Sequence, residues 1–413
     1  MRARFLQHGV IAGLERLTGL TGQGLGLLLG AVGAVVLGHR LDSTGLTILG
    51  YVLLLLLALV WLQTRQRAAV EATRSDMPRR VVIGRTIDAR LTVTARRRLS
   101  AVVLEEEFPD SLWHRVRLAV PVLPPGKPTT HAYRFRADRR GHYTVGPLRL
   151  ERTDPFGFVR TRQVLAPATT FIVHPRTEPV LDRILKREFE DPIIRPPHSK
   201  PWPTGAEFYG MRPYQQGDDP RHIVWRAVAR ADELLVREAE HGISDTVALL
   251  VDTSLTSYPG SGESAGFERA ISAAASVGRH HLESGFSVTV HSNTTEVTPR
   301  LRGKGDRIEL LDALAALDRD KSSLGALVHR LLSRRSGDGH HVVITSQLTH
   351  ETGAALRMFT ERGRSITLVL VVDESTDPIT LHHAVGLRCP VIEVLAGESL
   401  VRPFQHALTV RRR

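Results

Sequence analysis

The stretch TVALLVDTS, residues 246–254, decides how the largest part of this chain folds. Val247, Ala248, Leu249, Leu250 and Val251 follow one another without a polar interruption, and the run stops at Asp252. A short, continuous apolar run fits a strand buried on both faces, which belongs to a mostly parallel sheet covered by helices. Downstream the same rhythm continues. Residues 267–282 have a helical pattern and 286–291 (FSVTVH) read as a strand, followed by amphipathic helices at 308–317 and 324–332. HVVIT at 341–345 and ITLVLVV at 366–372 are further buried strands, with a helix at 354–362 between them. Strands punctuated by helices predict a doubly wound α/β domain over 244–413, with ligands beyond the carboxyl ends of its strands.

Upstream the pattern changes. Between 81 and 175 short alternating runs, such as IDARLTVT (87–94), AYRFR (132–136) and TTFIV (169–173), are separated by turn signals at PPGKP (124–128), DRRGH (138–142) and DPFG (154–157). Strands at this spacing predict an antiparallel β-sandwich of immunoglobulin-like type. Residues 176–205 end in PIIRPPHSKPWPTG and predict an extended, proline-rich linker that wraps a neighbour or spans domains.

The N-terminus decides location. LTGQGLGLLLGAVGAVVLG (20–38) and LTILGYVLLLLLALVWL (46–62) are each apolar enough to cross a bilayer as a helix. The second run follows the first too closely for a cleavable signal peptide, so residues 1–65 form a membrane anchor of two transmembrane helices. Arg2, Arg4 and Arg16 precede the hairpin and Arg65, Arg67, Arg74, Arg79 and Arg80 follow it, whereas Arg40 in the turn is offset by Asp42. The positive-inside rule then predicts a multi-pass protein of the cell membrane with N- and C-termini cytoplasmic. Gly22, Gly26 and Gly30 recur at four-residue spacing, where small residues let backbones approach, either within the hairpin or in a homodimer.

Composition narrows the remaining classes. The 413 residues suffice for two or three domains, and a single cysteine, Cys389, leaves neither a disulfide framework nor a cysteine zinc site. The net charge of +12 is carried almost wholly by arginine, since Lys127, Lys186, Lys200, Lys304 and Lys321 are the only lysines. An arginine bias alongside abundant Ala, Gly and Leu reflects a GC-rich genome as readily as nucleic-acid binding, and no nucleic-acid partner is expected.

The densest local constellation is EFYGMRPYQQGDDPRHIVWRAVARADELLVRE, residues 207–238. Asp219-Pro220 reads as a helix start, with a helix from Arg221 to about Arg230 that puts His222, Arg226 and Arg230 on one face and turns Trp225 toward a core. That face either binds an anion, such as a lipid headgroup or an acidic partner, or pairs internally with Asp218, Glu233, Glu238 or Glu240.

The same segment, with Arg212, Tyr214, Gly217, Asp218, Asp219, Arg221, Trp225 and Arg230 as its marked positions, resembles the signature of the bacterial and archaeal family known as domain of unknown function 58. RRGHYTVGPLRLERTDPFGFV (139–159) is similar to the end of the sandwich that precedes the signature in that family, as is the membrane hairpin. The resemblance implies a membrane-anchored protein with a von Willebrand factor A-like domain. It also implies partners among MoxR-type AAA+ ATPases and transglutaminase-like membrane proteins, with 206–240 as the signature segment.

An A-like domain raises a metal question. A metal-ion-dependent adhesion site uses D-x-S-x-S after the first strand, a threonine from a later loop and a second aspartate, because Mg²⁺ wants an octahedron of oxygens. Asp252, Ser254 and Thr256 keep the first element. The threonine is replaced by Ser322 or Ser323, and Ser346 and Gln347 stand where the second aspartate belongs. The expectation is a degenerate site holding Mg²⁺ weakly, or none at all, with Asp252 and Ser254 then acting as turn caps.

Enzymatic signals are poor. The chain has no H-E-x-x-H or Walker A, and His280-His281, His340-His341 and His382-His383 are adjacent pairs whose members point apart. Cys389 has only His406 downstream, too little for a thiol triad. The sequence therefore predicts a non-enzymatic, membrane-tethered scaffold or adaptor acting through protein–protein interaction. A metal-dependent or hydrolytic enzyme and an anionic-lipid-binding module are the alternatives.

Overall fold

The computed structural model describes residues 18–66, 68–109, 115–180, 207–214, 223–225, 233–240, 246–260, 264–333, 339–362, 364–374, 376–387 and 389–406. The chain divides into two compact units, Met1–His174 and Pro175–Arg413.

In the first unit, α1 (Gly22–Arg40) and α2 (Thr44–Arg65) form a hairpin, and both are long and apolar enough to cross a membrane. Thr21 caps α1 by accepting from the Gly24 amide at 3.2 Å, and Asp42 turns the chain with φ 51°. The seam between the helices is built on glycines other than the spaced ones. A Cβ on Gly50 would lie 2.9 Å from the Ala31 carbonyl and one on Gly38 would lie 2.7 Å from the Thr47 amide, so both must stay bare. Gly22, Gly26 and Gly30 have nothing within 4 Å of where a Cβ would stand, which removes the reading in which they pack against the second helix.

The sandwich follows almost at once. Its strands are β1 (Val70–Ser75), β2 (Arg80–Val82), β3 (Thr86–Ala95), β4 (Leu99–Glu107), β5 (Arg115–Leu123), β6 (Thr129–Arg136), β7 (Gly141–Val145), β8 (Leu148–Thr153), β9 (Arg160–Ala166) and β10 (Thr169–His174). They form sheets of order β1-β3-β6, β2-β10-β7 and β5-β4-β8-β9, antiparallel except where β2 runs parallel to β10. The expected start at 81 is too late. VEATRS at 70–75 alternates polar and small residues without a large apolar side chain, yet pairs with β3 from Val70↔Ala95 to Ser75↔Arg90. In β3 the period of two is plain, with Ile87, Ala89, Leu91, Val93 and Ala95 all buried against Leu104, Leu148 and Phe171. One ion pair sits inside: Glu106, 1% exposed, accepts from Arg74 and from the Tyr133 hydroxyl, and burial followed by the Glu106 charge raises the Tyr133 pKa.

In the second unit, β11 (Glu207–Pro213) and β12 (Leu235–Glu240) form an antiparallel pair. The main sheet takes β13 (Thr246–Val251), β14 (Ser287–Ser292), β15 (Leu301–Arg302), β16 (His340–Thr345), β17 (Ser365–Val372) and β18 (Val391–Leu395) in the order β15-β14-β13-β16-β17-β18. All pairs are parallel except β14 with the edge strand β15. Its helices are α3 (Ala265–Glu283), α4 (Arg307–Ala315), α5 (Leu324–Ser333), α6 (His350–Glu361), α7 (Pro378–Val385) and α8 (Val401–His406). The alternation read from the sequence is observed, with β18, α7 and α8 added. Two apolar clusters flank the sheet, one including Ala270, Ala273, Ala274 and Val277 of α3 and the other built on Leu327, Leu331, Leu356 and Phe359. Small residues let α3 lie close: a Cβ on Gly278 would come within 2.9 Å of Leu249 Cδ1.

The start of the proline-rich linker straps α3. The Ser272 hydroxyl donates to the Arg176 carbonyl at 2.8 Å, and the Glu178 amide donates to the Ser276 hydroxyl at 2.9 Å. Burial pushes the Glu178 carboxyl up, but hydrogen bonds from Ser399, Arg269 and the Leu400 amide outweigh it and leave the pKa lowered. The rest of the linker, from 181, lies outside the described residues.

His341, 5% exposed, stands edge-on to Phe359 at 4.7 Å. Burial first, then the charges of Arg364, His340 and His291, push its pKa down from 6.5 to about 4. The unfolded chain therefore binds a proton there that the folded chain does not, and the associated stability is present in full above the unfolded value and lost as pH falls toward about 4. In chemical denaturation from pH 7 to 4, His341→Leu should flatten the pH dependence by up to about 1.4 kcal/mol per pH unit. An unchanged slope would show that His341 does not titrate with folding.

Candidate functional site

β13 occupies the middle of its sheet, with β14 on one side and β16 on the other, so its carboxyl end is where the strand order reverses. Asp252 is the next residue. Its backbone amide still donates to the Ile344 carbonyl at 2.9 Å, which keeps the residue at the sheet edge, and it is 1% exposed.

Both carboxylate oxygens are fully engaged. Oδ1 accepts from the Ser254 amide at 2.9 Å and from Asn293 Nδ2 at 2.8 Å, while Oδ2 accepts from the Ser257 hydroxyl at 2.5 Å and the Thr345 hydroxyl at 2.7 Å. Ser254 Oγ donates in turn to Ser257 Oγ at 2.9 Å, and Ser346 donates to the Ser257 carbonyl. Thus one carboxylate ties the loop after β13 to the ends of β14 and β16.

A second carboxylate lies alongside. The Asp320 amide donates to the Thr253 carbonyl and the Leu255 amide to the Asp320 carbonyl, each at 2.7 Å, in a parallel bridge between Ser254 and Asp320. Asp320 Oδ2 accepts from the Thr253 hydroxyl at 2.9 Å, and Oδ1 accepts from the Ser322 amide at 2.8 Å and from its hydroxyl. Asn293 joins the two, since its Nδ2 also reaches the Ser322 carbonyl at 3.1 Å. Its Oδ1 is buried and makes no hydrogen bond among the described residues. Beneath the loop lies Tyr258, wholly buried, its pKa raised by burial and then by the charges of Asp252 and Asp373.

The structure thus brings together Asp252 and Ser254 from the expected set, with Ser322 and Ser346 at its margin. Thr256 is excluded: it is exposed, and Ser257 takes the inward place because the turn after Ser254 is tight. Ser323 does a different job, accepting from the Gly325 amide at 3.1 Å at the start of α5. Asn293, Asp320 and Thr345 were missed. The polar triple His291-Ser292-Asn293 at the end of an apolar strand is the same signal that marks Asp252, and it identifies Asn293 once β14 is placed beside β13.

This donor set does not suit a resident Mg²⁺. Oδ1 faces two N–H groups, which carry positive charge toward any incoming cation, and besides the carboxylate the lone pairs at hand are those of neutral oxygens, the hydroxyls on Oδ2 and the Asn293 amide oxygen. Among the described residues no group of three or more His, Cys, Asp and Glu side chains could hold a metal ion.

The other sequence candidates resolve individually. His340 is buried, with its ring nitrogens 2.8 Å from Ser365 Oγ and 2.9 Å from Thr367 Oγ1. Burial pushes the Cys389 thiol up to about 11, far from a reactive thiolate. In the signature segment the expected helix does not include Ile223 and Val224: Ile223 forms an antiparallel bridge with Val236 and the Val224 amide donates to the Leu235 carbonyl at 2.9 Å, and among the described residues of the segment Trp225 alone is helical. Trp225 is 66% exposed rather than buried. Arg212 pairs with Val236 in the β11–β12 ladder, and the Tyr214 amide extends it to the Leu234 carbonyl at 2.7 Å. Gly217, Asp218, Asp219, Arg221, Arg230, His222 and Arg226 lie outside the described residues.

Fold and site together define a doubly wound α/β domain whose switch-point carboxylate is held by hydrogen bonds. Residues 210–381 match the family model described as "Protein of unknown function DUF58", a span running from β11 into α7. No curated protein matches the chain. Among solved structures, the CARDB domain of a Pyrococcus furiosus protein is 12% identical over 26% of this chain and 93% of its own, with a TM-score of 0.20. A beta-glucosidase from Listeria innocua is 12% identical over 26% of this chain and 16% of its own, with a TM-score of 0.17. The alkylpurine DNA glycosylase AlkC of Pseudomonas fluorescens is 12% identical over 31% of this chain and 38% of its own, with a TM-score of 0.18. At these scores none of them says what this chain does.

Removing the carboxylate should strand four buried donors, so Asp252→Ala should destabilise the protein by about 3 kcal/mol or more. Asp252→Asn should cost much less, because its Oδ1 can keep the two N–H donors while the Ser257 and Thr345 hydroxyls turn to accept from its amide. Equal losses in thermal denaturation would show that the negative charge, rather than the hydrogen bonds, is what the fold requires.

Proposed function

We propose that this protein is a membrane-anchored, non-enzymatic adaptor of the DUF58 family, in which α1 and α2 span the cell membrane with both termini cytoplasmic. In this reading the α/β unit is a von Willebrand factor A-like domain that engages a protein partner at the carboxyl edge of its sheet. The partner class suggested by the family resemblance is a MoxR-type AAA+ ATPase.

The observation that carries the reading is the state of Asp252. A-like domains bind partners at this edge through a metal held by carboxylates, and here four hydrogen bonds occupy the carboxylate instead. The same bonds hold the surrounding loops in one arrangement, with Leu255 and Thr256 exposed on the outer side. A fixed edge of this kind suits recognition without a resident ion. Trp225 and Met211, 66% and 47% exposed in the signature segment, add apolar surface of the sort that interfaces use.

Three experiments test this. A photo-crosslinking residue at Thr256 of the full chain in native membranes should capture an AAA+ ATPase, while the same residue at Glu361, before β17 and so at the opposite sheet edge, should not; equal capture would refute edge recognition. A reporter fused after Arg413 should be active in the cytoplasm, and periplasmic activity would overturn the topology. Mg²⁺ titrated calorimetrically into the detergent-solubilised chain should bind no tighter than about millimolar. Micromolar binding would restore the ion to the site.

A further inference from the structure

We propose that the turn at 154–159 is a second membrane-contacting element, with Phe156 seated in the interfacial layer of the bilayer beside the start of α1. The proposal rests on the reading of α1 and α2 as membrane-spanning, and it concerns a motif, DPFGFV, to which the adaptor function assigns no role.

The turn is rigid by its own hydrogen bonds. Asp154 accepts from the Phe156 amide at 2.8 Å and from the Val159 amide at 2.5 Å, and Gly157 adopts φ 77°. Phe156 and Phe158 stack with ring centroids 5.8 Å apart and planes 15° apart.

The turn is then fastened to the helix. The Thr21 amide donates to the Phe158 carbonyl at 2.8 Å, the Thr21 hydroxyl to the Gly157 carbonyl at 2.6 Å, and the Arg160 amide to the Gly19 carbonyl at 2.7 Å. The Phe158 carbonyl fills the space a side chain at position 24 would need, its carbon 3.0 Å from where a Cβ would stand, so only glycine fits there. The neighbouring helix end is held as well. Trp61 donates to the Thr18 carbonyl at 2.9 Å, the Thr161 hydroxyl to the Thr64 carbonyl at 3.3 Å, and Arg152 to the Gln66 carbonyl at 3.0 Å.

Depth follows from these contacts. Gly24 is the third residue of α1, so the turn lies about 3 to 5 Å inside the helix end at 1.5 Å per residue. Phe158, Leu20, Leu57, Val60 and Trp61 form one apolar cluster, whereas Phe156 remains 59% exposed. The helix surface nearby is equally bare, with Leu62 at 58% and Leu29 at 72%. An exposed aromatic at the boundary of an exposed apolar helix is arranged for the interfacial belt of a bilayer. Arg65, stacked over Trp61 at 4.4 Å, supplies the cation that such boundaries carry.

The test uses the full chain in phosphatidylcholine vesicles, with Cys389→Ser to leave one thiol at a time. An environment-sensitive fluorophore goes on Phe156→Cys, on Leu55→Cys within α2, or on Arg85→Cys before β3, a strand whose ten residues place its start about 30 Å from its end. Brominated acyl chains should quench the labels at 55 and 156 at least about twofold more than that at 85. Quenching at 55, with 156 behaving like 85, would overturn the proposal and leave the membrane spans standing. Quenching at none of the three would overturn both.

Discussion

A carboxylate buried at the centre of an open sheet has to find donors or lose its charge, and in this protein that requirement organises the α/β unit. Asp252 stands at the one point of the sheet where neighbouring strands lead away in opposite directions, so loops from both halves converge on it. It draws its four donors from three of them: Ser254 and Ser257 after β13, Asn293 after β14, and Thr345 at the end of β16. Hydrogen bonds to an ionised acceptor are stronger than neutral ones and lose most when one partner is removed, which makes the network an all-or-none feature of the edge.

The sheet itself was legible because its strands are short unbroken apolar runs separated by helical periodicity, a pattern that survives without any knowledge of partners. TVALLV, HVVIT and ITLVLVV appear in the structure at nearly the expected places, and all three are buried. The last strand, VIEVL at 391–395, lies at the sheet edge with Glu393 and Leu395 exposed, and an edge strand gives a weaker signal than a central one. β1 was hidden for a related reason: only half of VEATRS faces inward, and those side chains are Val70, the small Ala72 and the charged Arg74. At the site, Asp252 and Ser254 could be read from local spacing, but Asn293 and Asp320 are 41 and 68 residues away in sequence. Their relation depends on strand order, which periodicity alone does not report.

The signature segment shows the opposite failure. Asp-Pro followed by an i, i+4 arginine pattern is a sound helix start by local rules, yet Ile223 and Val224 bond to β12. Once β11 and β12 pair, an unsatisfied strand edge lies within reach, and backbone groups that join it gain hydrogen bonds a short helix end leaves open. Trp225 follows from that change. Directly after the bridged residues it takes a helical position, with its side chain exposed rather than on an inner face.

The same logic of satisfying backbone groups explains how the sandwich is joined to its helices. A helix start leaves free amides, and a strand end leaves free carbonyls; at residues 19–21 and 157–160 these are set against one another, with Leu20 and Val159 forming a β-bridge directly before α1 begins. Glycine at 24 is the condition for that contact, just as glycine at 38 and 50 is the condition for the hairpin seam. Three bare positions in the 44 residues from Gly22 to Arg65 therefore fix both how the helices meet and how the sandwich meets them. The glycines whose spacing is most conspicuous in the sequence, Gly22, Gly26 and Gly30, serve neither contact, so regular spacing was a poorer guide to close approach than the positions where another backbone arrives.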